Sequence, residues 1–211
     1  MPDQSSEKAN VEVVWHESQV TRQMRWEKFK TKGLSVLFTG LSGSGKSTLA
    51  ALVEERLVES GINAYLLDGD NLRHGINSGL TFSHKDREEN IRRAGEVAKL
   101  FADLGVVALL SLVSPFSKDR DQIRLSHSNS DLKFIEVYVS TPIEICEGRD
   151  SKRMYKKARR GEIPDFTGIS SPYEPPGNPE LEVVLDSMEK LEEACQLVVE
   201  LIEKARDINE L

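Results

Sequence analysis

Apolar residues along this chain follow two rhythms. Short, nearly unbroken runs at residues 34–39, 64–67, 106–113, 134–139 and 182–185 read as strands, the fully apolar ones buried on both faces. Between them the spacing changes to that of helices. Over 46–59 the apolar positions are Leu49, Ala50, Leu52, Val53 and Leu57, and Gly61 closes the segment as a C-terminal glycine does. Over 85–104, Ile91, Ala94, Val97, Ala98 and Phe101 share one face. Further helices are predicted over 21–30, 118–125, 142–149 and 188–206. Thr141 stands as the N-cap of the third of these, with Pro142 in its first turn. Strands alternating with helices predict an α/β fold, a mostly parallel central sheet flanked by helices with right-handed crossovers.

Two segments break the rhythm. Residues 1–12 read as a flexible polar leader, which leaves 13–206 as one domain. Residues 150–180 carry Lys152, Arg153, Lys156, Lys157, Arg159 and Arg160, then Pro164, Pro172, Pro175, Pro176 and Pro179. A basic stretch followed by a Pro-rich one buries a core strand poorly, so a mobile lid with a return loop is expected there.

Composition narrows the function. With 38% hydrophobic and 30% charged residues the 211-residue chain has a globular balance. A net charge of −7 argues against a nucleic-acid polymer as partner, since coating one needs excess Lys and Arg. No apolar run approaches the roughly 20 residues that cross a bilayer, and residues 1–10 contain no signal-peptide core. A cytoplasmic location, with no membrane partner, follows as the expectation. Cys146 and Cys195 have no metal-binding spacing and are expected as buried, reduced thiols.

The strongest chemical signal lies where the first strand meets the first core helix. Gly40, Leu41, Ser42, Gly43, Ser44, Gly45, Lys46, Ser47 and Thr48 form a phosphate-binding loop in its required strand–loop–helix context. The glycines let backbone N–H groups converge on phosphate oxygens, Lys46 reaches the β- and γ-phosphates, and Ser47 can ligate Mg²⁺. A nucleoside triphosphate is the expected ligand, with ATP and Mg²⁺ as cofactors.

A second loop, Asp68-Gly69-Asp70-Asn71-Leu72-Arg73-His74-Gly75, follows the second strand. In parallel α/β sheets the ligand crevice lies at the carboxyl ends of the strands, so this loop is expected to face the first. One carboxylate, Asp68, is suited to the metal, and the other, Asp70, to accepting a proton from an attacking hydroxyl. Helix capping by either aspartate is the competing reading, and His74 is open to a structural or a catalytic role.

Several stretches together make a family recognisable. GLSGSGKST at 40–48, LLDGDNLRHG at 66–75, DREENIRRAGEVAKL at 86–100 and SP at 114–115 closely resemble adenylyl-sulfate (APS) kinases. CEGRD at 146–150, YKKAR at 155–159, FTGI at 166–169, SPYE at 171–174 and VVWH at 13–16 do so too. The resemblance implies a three-layer P-loop kinase fold and phosphorylation of the 3′-hydroxyl of adenosine 5′-phosphosulfate by ATP, giving PAPS and ADP. It implies a substrate set of Asp70, Arg73, Phe82, Arg87, Asn90, Val113, Ser114, Lys152, Phe166 and Thr167. Phe82 and Phe166 are expected as exposed-loop aromatics that stack on adenine. Arg149 resembles the residue that stacks on the ATP adenine, and the basic run after it is expected to close over phosphates.

Catalytic roles fall to Asp70, Lys46 and Ser114. The last matches a serine phosphorylated in some relatives; direct in-line transfer needs no such intermediate and is the preferred mechanism. A homodimer and a functional association with ATP sulfurylase are further expectations of the resemblance. Two positions depart from the family pattern. Ser117 stands where an arginine is usual, with Lys118 next to it, and Ser170 where aspartate is common. Another small-molecule P-loop kinase, or a sensor that binds ATP without turnover, are the competing functions.

Overall fold

The computed structural model describes residues 14, 16–150 and 152–206. The polar leader, Val13 and Trp15 lie outside the described residues. The sheet contains β1 (Leu34–Thr39), β2 (Ala64–Asp68), β3 (Val107–Ser111), β4 (Phe134–Val139) and β5 (Leu181–Val183) in the order β2-β3-β1-β4-β5. Every pairing is parallel. The helices are α1 (Arg22–Phe29), α2 (Lys46–Glu59), α3 (Gly69–Leu72), α4 (His84–Leu104), α5 (Ser117–Ser128), α6 (Ile143–Arg149), α7 (Met154–Arg159) and α8 (Met188–Arg206).

Strand periodicity divides the core into two layers. Leu34, Val36 and Phe38 of β1 pack against Leu49, Val53 and Leu57 of α2 and Val198 and Ile202 of α8. Leu37, pointing the other way, joins Ala94 and Ala98 of α4 with Ala108 and Leu110 of β3. The small residues of α4 allow a close approach to the sheet. The expected three-layer α/β architecture is thus observed, with the central strand β1 buried along its whole length.

Several expectations require correction. Thr141 does not cap α6. Its hydroxyl donates to the Ser44 carbonyl (2.9 Å) and accepts from the Leu185 N–H (3.0 Å), and Pro142 occupies the cap position with no side-chain bond. The strand β3 stops at Ser111, short of the expected 113, and Ser114 beyond it is left-handed at φ 41°. The last strand is shifted to Leu181–Val183, which frees Leu185 to meet the phosphate loop. The segment 150–180, expected as a lid with a return loop, contains the helix α7. It also has a small core of its own, in which Cys146, Tyr155, Ala158 and Phe166 are buried together. Cys146 and Cys195 are buried free thiols.

Candidate active site

The phosphate loop is held from three sides. Gly40, Gly43 and Gly45 have φ of 146°, 75° and 103°. A Cβ on Gly40 would lie 2.3 Å from the Val139 carbonyl oxygen, so at this position glycine is required by conformation and by space. Thr141 grips the Ser44 carbonyl from the β4–α6 turn, and the Tyr155 hydroxyl donates to the Ser42 carbonyl at 2.8 Å. Lys46 lies folded inside the loop, donating to the Leu41 carbonyl (2.6 Å) and the Ser44 hydroxyl (3.4 Å). Burial drives its ammonium down to about 8, with Cys146, Asp68 and Asp70 opposing that shift.

Past the loop, Ser47 begins to face the second strand. Its hydroxyl donates to Asp68 Oδ2 at 2.7 Å and lies 3.0 Å from the Ser111 hydroxyl. The other Asp68 oxygen accepts the N–H groups of Asp70 (3.0 Å) and Asn71 (3.4 Å), capping α3. Helix capping, the competing reading of Asp68, is thus fulfilled by one oxygen, while the other is bonded to Ser47. Capping turns Asp70 outward, where its exposed carboxylate is paired with Lys152 from the segment before α7.

The second half of the cleft is built around α4. Arg73 donates to the carbonyls of Leu80 and Thr81, both at 3.1 Å, and lies 4.3 Å from the centroid of the exposed Phe82 ring. Arg87 donates to the Phe82 carbonyl (2.8 Å), the Thr167 hydroxyl (3.0 Å) and the Asp165 carbonyl (2.8 Å). One guanidinium thus ties the start of α4 to the 165–167 loop. Asn90 is buried and accepts from the Asn77 amide at 3.1 Å. Arg149 lies over the other end of the phosphate loop, bonded to the Leu185 (2.5 Å) and Gly43 (3.5 Å) carbonyls.

Phe166 departs from the sequence reading. It is 7% exposed and packs edge-to-face on Tyr155 at 5.0 Å, so it is a buried anchor, unlike Phe82 at 59%. Thr48 is exposed in the first turn of α2, and Thr167 is buried. Val113 is half-buried and contributes its carbonyl to Thr39 (2.8 Å) and Gly40 (3.5 Å). Ser114 is buried with its hydroxyl unbonded, and His74 is exposed.

Both family departures have local partners. The Ser117 N–H and hydroxyl donate to the Glu174 carboxylate at 2.8 and 2.7 Å, and Ser170 Oγ accepts the Phe166 N–H at 2.9 Å. Lys118 is exposed and lies 3.6 Å from Glu88, pointing to solvent.

Nothing in the sequence signals the roles of Thr141, expected as a helix cap, and Tyr155, which shape the loop, or of Asn77, which holds Asn90. Each contact spans elements, so no local spacing reveals it. Among the described residues no cluster of three carboxylate, imidazole or thiolate groups gathers to hold a metal. The Ser47–Asp68 pair still suits Mg²⁺, which keeps several waters and takes its other ligands from substrate phosphates. No helix among the described residues is long and apolar enough to cross a membrane.

Comparison with known proteins matches this arrangement. A family model described as adenylylsulphate kinase matches residues 32–184. A probable adenylyl-sulfate kinase of Halalkalibacterium halodurans is 56% identical over 186 residues, covering 88% of this chain and 91% of that protein. The adenylyl-sulfate kinase of Clostridium acetobutylicum is 52% identical over 188 residues, covering 89% and 92%. Among solved structures, the APS kinase of Mycobacterium tuberculosis in complex with AMPPNP and APS has a TM-score of 0.79 and 50% identity. It covers 82% of this chain and 99% of that one.

Proposed function

The chain belongs to the adenylylsulphate kinase family, and on that premise we propose that it transfers the γ-phosphoryl group of ATP to the 3′-hydroxyl of adenosine 5′-phosphosulfate. The observation that carries this reading is the meeting of two half-sites. The Ser47–Asp68 hydrogen bond joins the phosphate loop to the turn that presents Asp70, and Arg73 and Phe82 follow directly from that turn.

In this reading residues 13–206 form one kinase domain, with about 150–180 as its lid. The backbone amides of residues 41–48 and the Lys46 ammonium take the triphosphate, and Arg149 flanks its adenine. Ser47 and Asp68 would hold Mg²⁺, which would supply charge neutralisation to the transferring phosphoryl group. Phe82 offers a ring face to the adenine of the acceptor. Arg73, Arg87, Asn90, Val113, Ser114 and Thr167 surround its phosphosulfate and ribose, and Phe166 supports that wall from behind. Asp70 accepts the proton of the 3′-hydroxyl as the oxygen attacks in line, so Lys152 must yield or share that carboxylate. Ser114 carries no phosphoryl group in this direct transfer, and the basic run after Arg149, closing over the phosphates, keeps water from competing.

The same reading extends to a cytoplasmic homodimer that works in association with ATP sulfurylase, an enzyme that makes APS. The net charge of −7 supports a small-molecule acceptor over a nucleic-acid polymer. Purified protein with ATP and Mg²⁺ should release ADP and form PAPS only when APS is added. Absence of both products would overturn the proposal, and ADP release on a sugar or nucleoside alone would favour another kinase.

A further inference from the structure

Beneath the acceptor half of the cleft lies a charge network that none of these roles uses. Arg120, on α5, is 2% exposed. Its Nη1 donates to the Ser114 carbonyl and its Nη2 to the Glu174 carbonyl, both at 2.7 Å. Its Nε lies 2.8 Å from Oε1 of Glu136, itself buried on β4, an ion pair in which the N–H is not aimed along a hydrogen bond. Arg124 grips the other Glu136 oxygen at 3.2 Å and is bound in turn by Glu180 at 2.6 Å.

The two carbonyls that Arg120 holds belong to different parts of the site. Ser114, three residues past the end of β3, has a left-handed conformation that serine adopts only where surroundings enforce it. Glu174 lies in the return arm of the 150–180 segment. That arm is pinned to the same place again by the Glu174 N–H donating to the Pro115 carbonyl (2.8 Å) and by the Tyr173 hydroxyl at 2.9 Å from Thr39 Oγ1. A planar guanidinium with its donors in fixed directions sets three groups relative to one another, as a lysine ammonium cannot.

We infer that Arg120 is a positioning residue for the acceptor site. It sets Ser114 beyond the end of β3 and locks that residue to the 172–174 arm, so that Ser114 keeps one place in the acceptor pocket. Glu136 holds the guanidinium by charge from 2.8 Å. This inference rests on the proposed APS kinase reading.

The test compares wild-type protein with Arg120→Lys and Glu136→Gln. Folding is followed by circular dichroism, affinity for a non-hydrolysable ATP analogue by calorimetry, and KM and kcat for APS by ADP release. Folded variants should bind the ATP analogue within about threefold of wild type. Their kcat/KM for APS should fall on the order of tenfold to a hundredfold, mainly through KM, as a displaced contact of about an ångström does.

Unchanged APS kinetics, or equal loss of ATP-analogue and APS affinity, would overturn the inference. If Arg120→Lys does not fold, Glu136→Gln carries the test, because it keeps Arg120 and the side-chain volume while removing the paired charge. Loss of fold in both would assign the pair to stability alone and overturn it too. Wild-type protein inactive with APS would overturn the functional reading as well, whereas active wild type with unselective variants would overturn this inference alone.

Discussion

The ammonium of Lys152 is paired with the carboxylate of Asp70, 82 residues away in the chain, bridging the basic segment and the strand-β2 turn. The pairing is exposed on both sides, with side chains 70% and 65% accessible, so it contributes little to stability and can exchange for substrate. Its meaning is positional, since it puts a lysine of the 150–180 segment at the carboxylate proposed as proton acceptor.

Asp70→Ala should therefore keep ATP-analogue affinity within about threefold while kcat falls on the order of a hundredfold to ten-thousandfold, the range of a lost general base. Steady-state ADP release and calorimetry on the same preparation check this. Turnover at the wild-type rate would refute the proton-acceptor role.

Lys46 makes triphosphate binding depend on pH. Its buried ammonium titrates near 8 in the folded protein against an ordinary 10.5. Between those values the unfolded chain holds a proton that the folded free protein has released, so the free protein gains stability as pH rises through that window. Bound triphosphate restores the charge on Lys46. Binding at about pH 8.5 should then take up a proton, and affinity should decline as pH climbs above about 8. Calorimetry in two buffers of different ionisation enthalpy reads the proton count; proton-neutral binding there would contradict the assignment.

The two aromatics of the acceptor side should separate cleanly. Phe166→Ala empties a buried site packed against Tyr155 and is expected to cost about 3–5 kcal/mol. Phe82→Ala removes an exposed ring and should change stability by no more than about 0.5 kcal/mol, yet raise the KM for APS severalfold. Thermal melts and kinetics on both variants decide it, and equal stability loss would mean the two rings play the same structural part.

Ser47→Ala removes one oxygen of the proposed metal pair and leaves Asp68 capping α3 through its other oxygen. The Mg²⁺ concentration giving half-maximal rate should rise about tenfold or more, with little change in melting temperature of the free protein. A Mg²⁺ titration of ADP release measures this, and an unshifted midpoint would count against the ligand role.

Much of the molecule was legible in the residues. The period of the apolar positions located β1, α2, β4 and α8, and for β1 and α2 the glycines Gly40 and Gly61 marked the end as well. The phosphate loop was legible for the same reason: backbone chemistry at fixed short spacing needs no tertiary information. Phe166 was misread because a Pro-rich, basic neighbourhood hides a satellite core that exists only when α7 folds back on Cys146. Thr141 was misread because its hydroxyl found partners in Ser44 and Leu185, distant in sequence, before any helix N–H.

By itself, then, the sequence determined the alternation of strands and helices, the phosphate loop and the family the chain resembles, all of which depend on short-range spacing and residue type. Tertiary structure alone decided which oxygen of Asp68 caps α3 and which meets Ser47, that Lys152 faces Asp70, and that the outwardly unremarkable charge Arg120 is buried beneath Ser114. The physical reason is one of range. Propensity and periodicity act over a few residues, whereas the partners of a buried polar group are settled only when the sheet brings chain-distant segments within hydrogen-bond reach.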